Sequence, residues 1–188
     1  MNKIDISNLT GKCLISMPNT EGEFANSVIY ICSHDKNGAM GFVVNKRITD
    51  ISFQDIASAL PFNLKNNFSP INLYNGGPLE KGKGFILHSD EYQLSESLNT
   101  GGGIMVSSSF TILQDIASGH GPKQRIIILG YAGWAPSQLE HEIQNNLWMV
   151  TEASPDLVLG CDDDTKWSKA FSNLGINNIS LFSSIGHS

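Results

Sequence analysis

Residues 126–140 hold the feature that most restricts the fold. The apolar run Ile126-Ile127-Ile128-Leu129 leads straight into Gly130-Tyr131-Ala132-Gly133-Trp134-Ala135-Pro136, and Ser137-Gln138-Leu139-Glu140 then opens an amphipathic stretch. A short β-branched run reads as a strand. Glycines interleaved with large aromatics directly after a strand call for a tight turn in which backbone approaches backbone. We therefore expect Gly130 or Gly133 to adopt positive φ or to press its Cα against another segment. A second glycine turn, Asn75-Gly76-Gly77-Pro78, follows the apolar run Ile71–Tyr74. The two turns hold parallel places after short strands, so we expect them to share one surface.

Composition excludes several classes. The chain has 188 residues, 40% of them apolar, which suffices for one domain with a core that needs no disulfides. The formal net charge is −6, and the densest basic clusters are Lys46-Arg47, Lys81-Gly82-Lys83 and Lys123-Gln124-Arg125. Phosphate binding relies on clustered Lys and Arg, so direct nucleic-acid contact is not expected. Cys13, Cys32 and Cys161 are too few for a disulfide framework. Cys13 and Cys32 lie inside apolar runs and read as buried thiols in a reducing, cytoplasmic setting. The start, Met1–Ile6, lacks the apolar core of a signal peptide. The longest near-continuous apolar stretch, Ile126–Ala135, falls far short of the roughly 20 residues that span a bilayer, so membrane insertion is not expected.

Periodicity and turn residues predict strands at Lys12–Met17, Val28–Ser33, Gly41–Val44, Ile71–Tyr74, Gly84–His88, Ile104–Ser107, Arg125–Tyr131 and Leu147–Thr151. Asp35-Lys36-Asn37-Gly38 makes Val28–Val44 a hairpin. Helices are expected at Ser52–Leu60, where Ser52 caps and Pro61 stops, at Phe110–Ser118 before Gly119, at Ser137–Asn146, and at Asp163–Leu174. Ser137 and Glu140 have capping-box spacing. The Gly/Ser-rich stretch Ser95–Gly103 reads as a loop. Gln54-Asp55-Ile56-Ala57-Ser58 recurs as Gln114-Asp115-Ile116-Ala117-Ser118, which suggests a duplicated strand–helix–strand unit. The expected architecture is a single α+β domain. It has a curved, mixed, largely antiparallel sheet, open or closed into a barrel, flanked by about four helices.

The order of several motifs also resembles the bacterial YqgE/AlgH family. They are Gly11-Lys12-Cys13-Leu14-Ile15-Ser16-Met17-Pro18, Gly38-Ala39-Met40-Gly41-Phe42-Val43-Val44-Asn45, Gly76-Gly77-Pro78, Gly84-Phe85-Ile86-Leu87-His88, Gly130–Glu140, Asn146-Leu147-Trp148, Trp167 and Leu174-Gly175-Ile176. Ser137 stands where that family usually has Gly, which suits a helix cap better than a Gly-only backbone position. The resemblance implies no catalytic residues, because the family has none agreed. One member's name links it to regulation of alginate synthesis.

The chemistry-bearing residues are sparse. His88 ends an apolar strand and could be a general base, or simply a hydrogen-bonded structural histidine. Cys32 and His34, two apart on a strand, should share a face, but no second Cys/His pair completes a metal site, so none is expected. His141, beside Glu140 and Glu142, reads as solvated. There is no Gly-x-Ser-x-Gly elbow, and Gly101-Gly102-Gly103 lacks both a P-loop lysine and dinucleotide spacing. Asp162-Asp163-Asp164 reads as an acidic helix start. Tyr131, Trp134 and Trp148 are either core or a partner surface, and we assign Trp148 to the core and Trp134 to the surface.

Together these features suggest a non-enzymatic binding or regulatory module without a cofactor. It would meet a small molecule or protein partner on a surface formed by Gly76, Gly77, Pro78, His88, Gly130, Tyr131, Gly133 and Trp134. The alternative is a hydrolase-like enzyme pairing His88 with a carboxylate such as Glu80 or Glu140. An enzyme would show His88 in a concave pocket with its ring accessible, whereas a binding module would show an apolar patch around Trp134.

Overall fold

The computed structural model describes residues 5–58, 71–160 and 162–177. In chain order the strands are β1 (Lys12–Ser16), β2 (Val28–Asp35), β3 (Gly38–Val43), β4 (Arg47–Ile48), β5 (Leu73–Asn75), β6 (Leu79–Ser89), β7 (Leu98–Asn99), β8 (Ile104–Ser107), β9 (Arg125–Trp134) and β10 (Trp148–Glu152). The α-helices are α1 (Phe53–Ser58), α2 (Phe110–Ser118), α3 (Gln138–Gln144) and α4 (Asp163–Asn173), with a 3-10 turn at Gly22–Phe24 and a π-helical turn at Asp156–Gly160. The expected elements recur with shifted ends. The two-residue strands β4 and β7 were not legible, and β7 interrupts the stretch expected to be only a loop. Leu60, Pro61 and Cys161 lie outside the described residues.

The strands form one sheet in the order β10-β1-β2-β3-β9-β6-β8-β7, with every neighbouring pair on this path antiparallel. β5 adds to β9 in parallel, on the edge that β3 also uses, and β4 pairs with β5. The sheet curls into a half-barrel. No ladder joins β10 to β7 or β8 among the described residues, so it stays open. Alternating side chains fill both faces. Cys13, Ile15, Val28, Tyr30, Phe42, Leu87, Val106 and Ile128 point into the curl, where Leu157, Val158, Ala170 and Phe171 from the π-helical turn and α4 complete the core. The hydroxyls of Tyr30 and Thr100 hydrogen-bond across that interior. On the outer face, Leu14, Ile29, Ile31 and Val43 pack with Leu139 of α3, while Leu73, Ile86 and Ile127 pack with Phe53 of α1 and Ile112 and Ile116 of α2.

The two glycine turns interlock. Gly130 has φ 74°, as expected of one glycine in the turn. A Cβ there would lie 2.8 Å from the Leu79 carbonyl oxygen and 2.9 Å from that of Gly77. A Cβ on Gly76 would lie 2.4 Å from the Gly130 oxygen, and one on Gly77 2.4 Å from the Tyr131 carbonyl carbon. Gly76 N–H donates to Leu129 O, and Val43 N–H to Gly76 O, both at 2.9 Å. The β6–β9 register also slips here, between Leu79 and Gly84. This irregularity reverses the facing of β9. Ile126 and Ile128 face the inner core, but beyond Gly130 it is Tyr131 that does so, and Ala132 and Trp134 join the outer cluster. Gly133 is not the constrained residue: its φ is not positive, and its closest neighbour is the flexible tip of Leu79.

Two expectations need correction. The repeated pentapeptides do place α1 and α2 in one outer cluster. The flanking strands differ, however. β3 and β5 run in opposite senses along one edge of β9, whereas β8 and β9 both pair antiparallel with β6, which lies between them, and so run parallel. The strand topology therefore does not repeat. Ser137 is not a side-chain cap either: its φ is 63°, in the left-handed region, and its hydroxyl caps nothing. The Gln138 side-chain oxygen instead accepts from Ala135 N–H, in the turn before α3, at 3.0 Å. By contrast, Ser52 and Asp55 form a reciprocal cap on α1, and Asp162 caps α4 through Asp164 N–H.

Gly76→Ala should destabilise the protein by about 2–4 kcal/mol, because its Cβ meets backbone that cannot yield. Ser137→Gly, relieving a left-handed serine, should stabilise it by about 0.5–1 kcal/mol. Urea unfolding of both variants measures these opposite signs.

Candidate binding site

The interlocked turns determine what the neighbouring side chains can line. Immediately before the reversal at Gly130, Leu129 and Ile127 face the outer side beside Gly84, Phe85 and Ile86 of β6. With Phe53 and Ile56 of α1 and Phe110 and Leu113 of α2 they enclose an apolar cleft of about 350 Å3. Its polar groups are few: Lys83, Ser108 and Ser109. Phe110 is 60% exposed at its wall. The Lys83 ammonium lies 5.5 Å over the Phe85 ring and 3.6 Å from Glu80 Oε2.

A second, polar cleft of about 850 Å3 lies between Asn45–Arg47, Thr49, Asn72, Tyr74 and the start of α4. Its charges are largely engaged with one another. Asp163 accepts from the Tyr74 hydroxyl at 2.9 Å and lies 3.3 Å from Arg47 Nε and 3.6 Å from Lys166 Nζ. Burial, then the Asp163 bond, pushes the Tyr74 hydroxyl up to about 12. Lys46 Nζ donates to Ala25 O at 2.6 Å. Behind this network Lys166 is 1% exposed, donating to Val44 O at 2.7 Å and Val158 O at 3.1 Å. Sequence reading missed Lys166. It lies four residues before buried Ala170, on the packed side of α4, and that spacing was the available signal.

The expected surface is only partly a surface. Gly76, Gly77, Pro78, Gly130, Tyr131 and Gly133 do come together, but Gly76, Gly77 and Gly130 are buried in backbone contact, leaving Pro78 and Gly133 exposed and Tyr131 half-buried. Trp134 is 8% exposed and Trp148 7%, so the assignment of Trp134 to an exposed patch is corrected: both indoles are core. Their rings meet edge to face at 6.2 Å, and both N–H groups donate to the same Glu142 oxygen, at 2.8 and 2.7 Å. Glu142 is thus an anchor holding α3 to β9 and β10, an interaction the sequence did not reveal because neither tryptophan neighbours it in the chain.

His88 sits apart from the turns, opposite Arg125 near the far end of β9. It is 0% exposed. Its Nδ1 lies 3.0 Å from Ser89 O and its Nε2 2.9 Å from Ser107 Oγ. Burial holds its pKa below the usual histidine value. Neither carboxylate considered for it is a partner: Glu80 pairs with Lys83, and Glu140 lies 3.4 Å from His34 Nε2. Cys32 and His34 do not share a face, because the β2–β3 register shifts between Ile31 and Ser33. Cys32 faces the inner core, whereas His34 accepts from Leu9 N–H on the outer side. Burial pushes the Cys13 and Cys32 thiols up to about 12, far from thiolate reactivity. No group of three or more His, Cys, Asp or Glu could hold a metal among the described residues.

The AlgH-like family model matches residues 13–179. The UPF0301 protein of Rhodopseudomonas palustris strain HaA2 is 43% identical over 95% of this chain and 86% of its own length. That of Afipia carboxidovorans is 41% identical over 95% of this chain and 90% of its own. The solution structure of the AlgH protein from Pseudomonas aeruginosa superposes with a TM-score of 0.76 at 33% identity, covering all of both chains. A crystal structure of a Corynebacterium diphtheriae protein shares the fold at a TM-score of 0.75 and 22% identity, over 97% of this chain and 94% of that one.

Trp134→Ala and Trp148→Ala should each lower stability by about 3–5 kcal/mol, as for other buried aromatics. The double variant should cost less than the sum, because the rings touch and share Glu142. Chemical denaturation of the three variants measures the coupling.

Proposed function

The chain belongs to the AlgH-like family, and on that premise we propose that it is a non-enzymatic binding module whose ligand seats an apolar group in the cleft between α1, α2, β6 and β9. The cleft itself carries this reading. Its volume lies within the roughly 300–1,000 Å3 of small-ligand pockets, and its lining is apolar with a few polar groups at hand, the composition such pockets share. The polar cleft is the weaker candidate because its charged groups already satisfy each other. A cytoplasmic setting belongs to the same reading and is supported by two unpaired buried thiols. No helix among the described residues is long and apolar enough to cross a membrane. Direct nucleic-acid binding is no part of it, since Lys81 and Lys83 each have an acidic neighbour. A hydrolase pairing His88 with a carboxylate is disfavoured by the burial of the ring and by the pairing of Glu80 and Glu140 elsewhere.

Titration with indole, followed by amide NMR, tests the cleft. Shifts should concentrate at Gly84, Phe85, Ser109, Phe110 and Leu129, and Leu113→Trp, which fills the space, should abolish them while leaving the thermal melt intact. Shifts centred on Asn45–Thr49 would transfer the site to the polar cleft, and absence of any localised shift would reject both.

A further inference from the structure

A chain of hydroxyls runs from buried His88 toward the surface, and its polarity follows from one atom. Ser89 O can only accept, so His88 Nδ1 must carry the ring proton that it shares with that oxygen at 3.0 Å. In the neutral ring Nε2 is then an acceptor, and the Ser107 hydroxyl, 2.9 Å away, must donate to it. Ser107 Oγ in turn accepts from the Ser97 hydroxyl at 2.5 Å. Ser107 and His88 are fully enclosed, at 1% and 0% exposure, whereas Ser97 is half-buried in the turn just before β7. The Ser97 N–H donates to Leu94 O at 3.1 Å, which fixes the turn that presents it.

We propose that Ser97 is an activated hydroxyl that takes up an acyl group from an activated ester, with Ser107 and His88 as its proton relay. The Ser97 Oγ–acyl carbon bond forms and the bond from that carbon to the leaving oxygen breaks. The Ser97 proton passes to Ser107, whose own proton passes to His88 Nε2; the imidazolium then returns a proton to Ser107 Oγ as the Ser107 hydroxyl gives its proton to the leaving alkoxide or phenoxide beside Ser97. Atoms and charge balance without any further reactant. This reactivity is independent of the apolar cleft and requires no turnover.

The relay works only with a neutral ring, and burial favours that form. The charged and titratable groups packed around His88 are Glu91, whose carboxylate accepts from Lys123 N–H, Arg125 opposite on β9, and Tyr92, stacked edge-on at 5.7 Å with its hydroxyl on Asp115. Glu91 opposes the effect of burial without outweighing it. Acylation should therefore rise with pH through one step lying below about 6.5, the free histidine value, and stay level above it.

The test treats the full chain with p-nitrophenyl acetate and maps the acetyl group by mass spectrometry. Ser97 should be acetylated at least tenfold faster than Ser95, two residues away, whose hydroxyl donates to Glu96 and not to the relay. Ser107→Ala should slow Ser97 at least tenfold, Ser107→Thr should restore much of the rate, and the pH step should vanish in Ser107→Ala. Equal acetylation of Ser97 and Ser95 in the unaltered protein would overturn the proposal without recourse to any variant. So would an unchanged rate and pH profile in a folded Ser107→Ala protein.

Discussion

Backbone against backbone at the two glycine turns is the contact on which the rest of the architecture depends. Gly76, Gly77 and Gly130 approach so closely that a methyl group at any of them would fall within 3 Å of main-chain atoms. Close packing of this kind has no slack, because a displaced peptide must take its hydrogen bonds with it. At this point β3, β5 and β6 all converge on β9. The reversal of β9 at Gly130 follows from the same geometry. It allows one strand to contribute Ile128 to the interior of the curl and Trp134 to the packing under α3. Without it, both Tyr131 and Trp134 would face the wrong layer.

Around this joint two buried polar networks hold the helices to the sheet. Glu142 accepts two indole N–H bonds, and bonds to a charged acceptor are worth about 1.5–3 kcal/mol each, enough to offset desolvating a carboxylate that keeps some contact with water. Lys166 carries its charge into the core but finds two carbonyl oxygens and Asp163. Removing Glu142 would leave two largely buried indole N–H groups without their acceptor, a larger loss than the net worth of either bond. These networks secure α3 and α4 on opposite faces of the sheet, so the cleft on the remaining outer face has rigid walls in β6 and β9.

Much of the fold was legible because its signals are local. Ile126–Leu129 followed by Gly130 announced both a strand and a tight contact, and Ser52 with Asp55 announced a helix start. What stayed hidden arises from interactions between distant residues. The slip between Ile31 and Ser33 turned His34 away from Cys32, although strict alternation put them on one face. Ser137 has the chemistry of a cap, but its backbone is left-handed and its hydroxyl caps nothing. The site was less legible than the fold. The glycine turns were found, yet they frame the cleft and do not line it. The lining residues, such as Phe85 and Leu113, look in the sequence like any other core positions. The partners of His88 are the backbone oxygen of Ser89, next to it on β6, and the hydroxyl of Ser107 on β8, and serines carry no distinctive signal.

The position of β9 in the chain has a consequence for how the protein comes into being. Its neighbours β3, β5 and β6 all precede it, and none of the three pairs with another of them. During synthesis they must wait, with apolar faces uncovered, until residues 125–134 have left the ribosome. β1–β2–β3, β4–β5 and β6–β8–β7 can each pair early as separate antiparallel pieces, but nothing joins them before β9 arrives, and β1 then waits again for β10. Such long-range pairing defers the gain in contacts until most of the chain entropy has been spent, so the nascent chain passes through a long interval in which its edges are open to other chains. A strand that serves both layers of the finished protein is thereby the last element on which both layers can begin to depend.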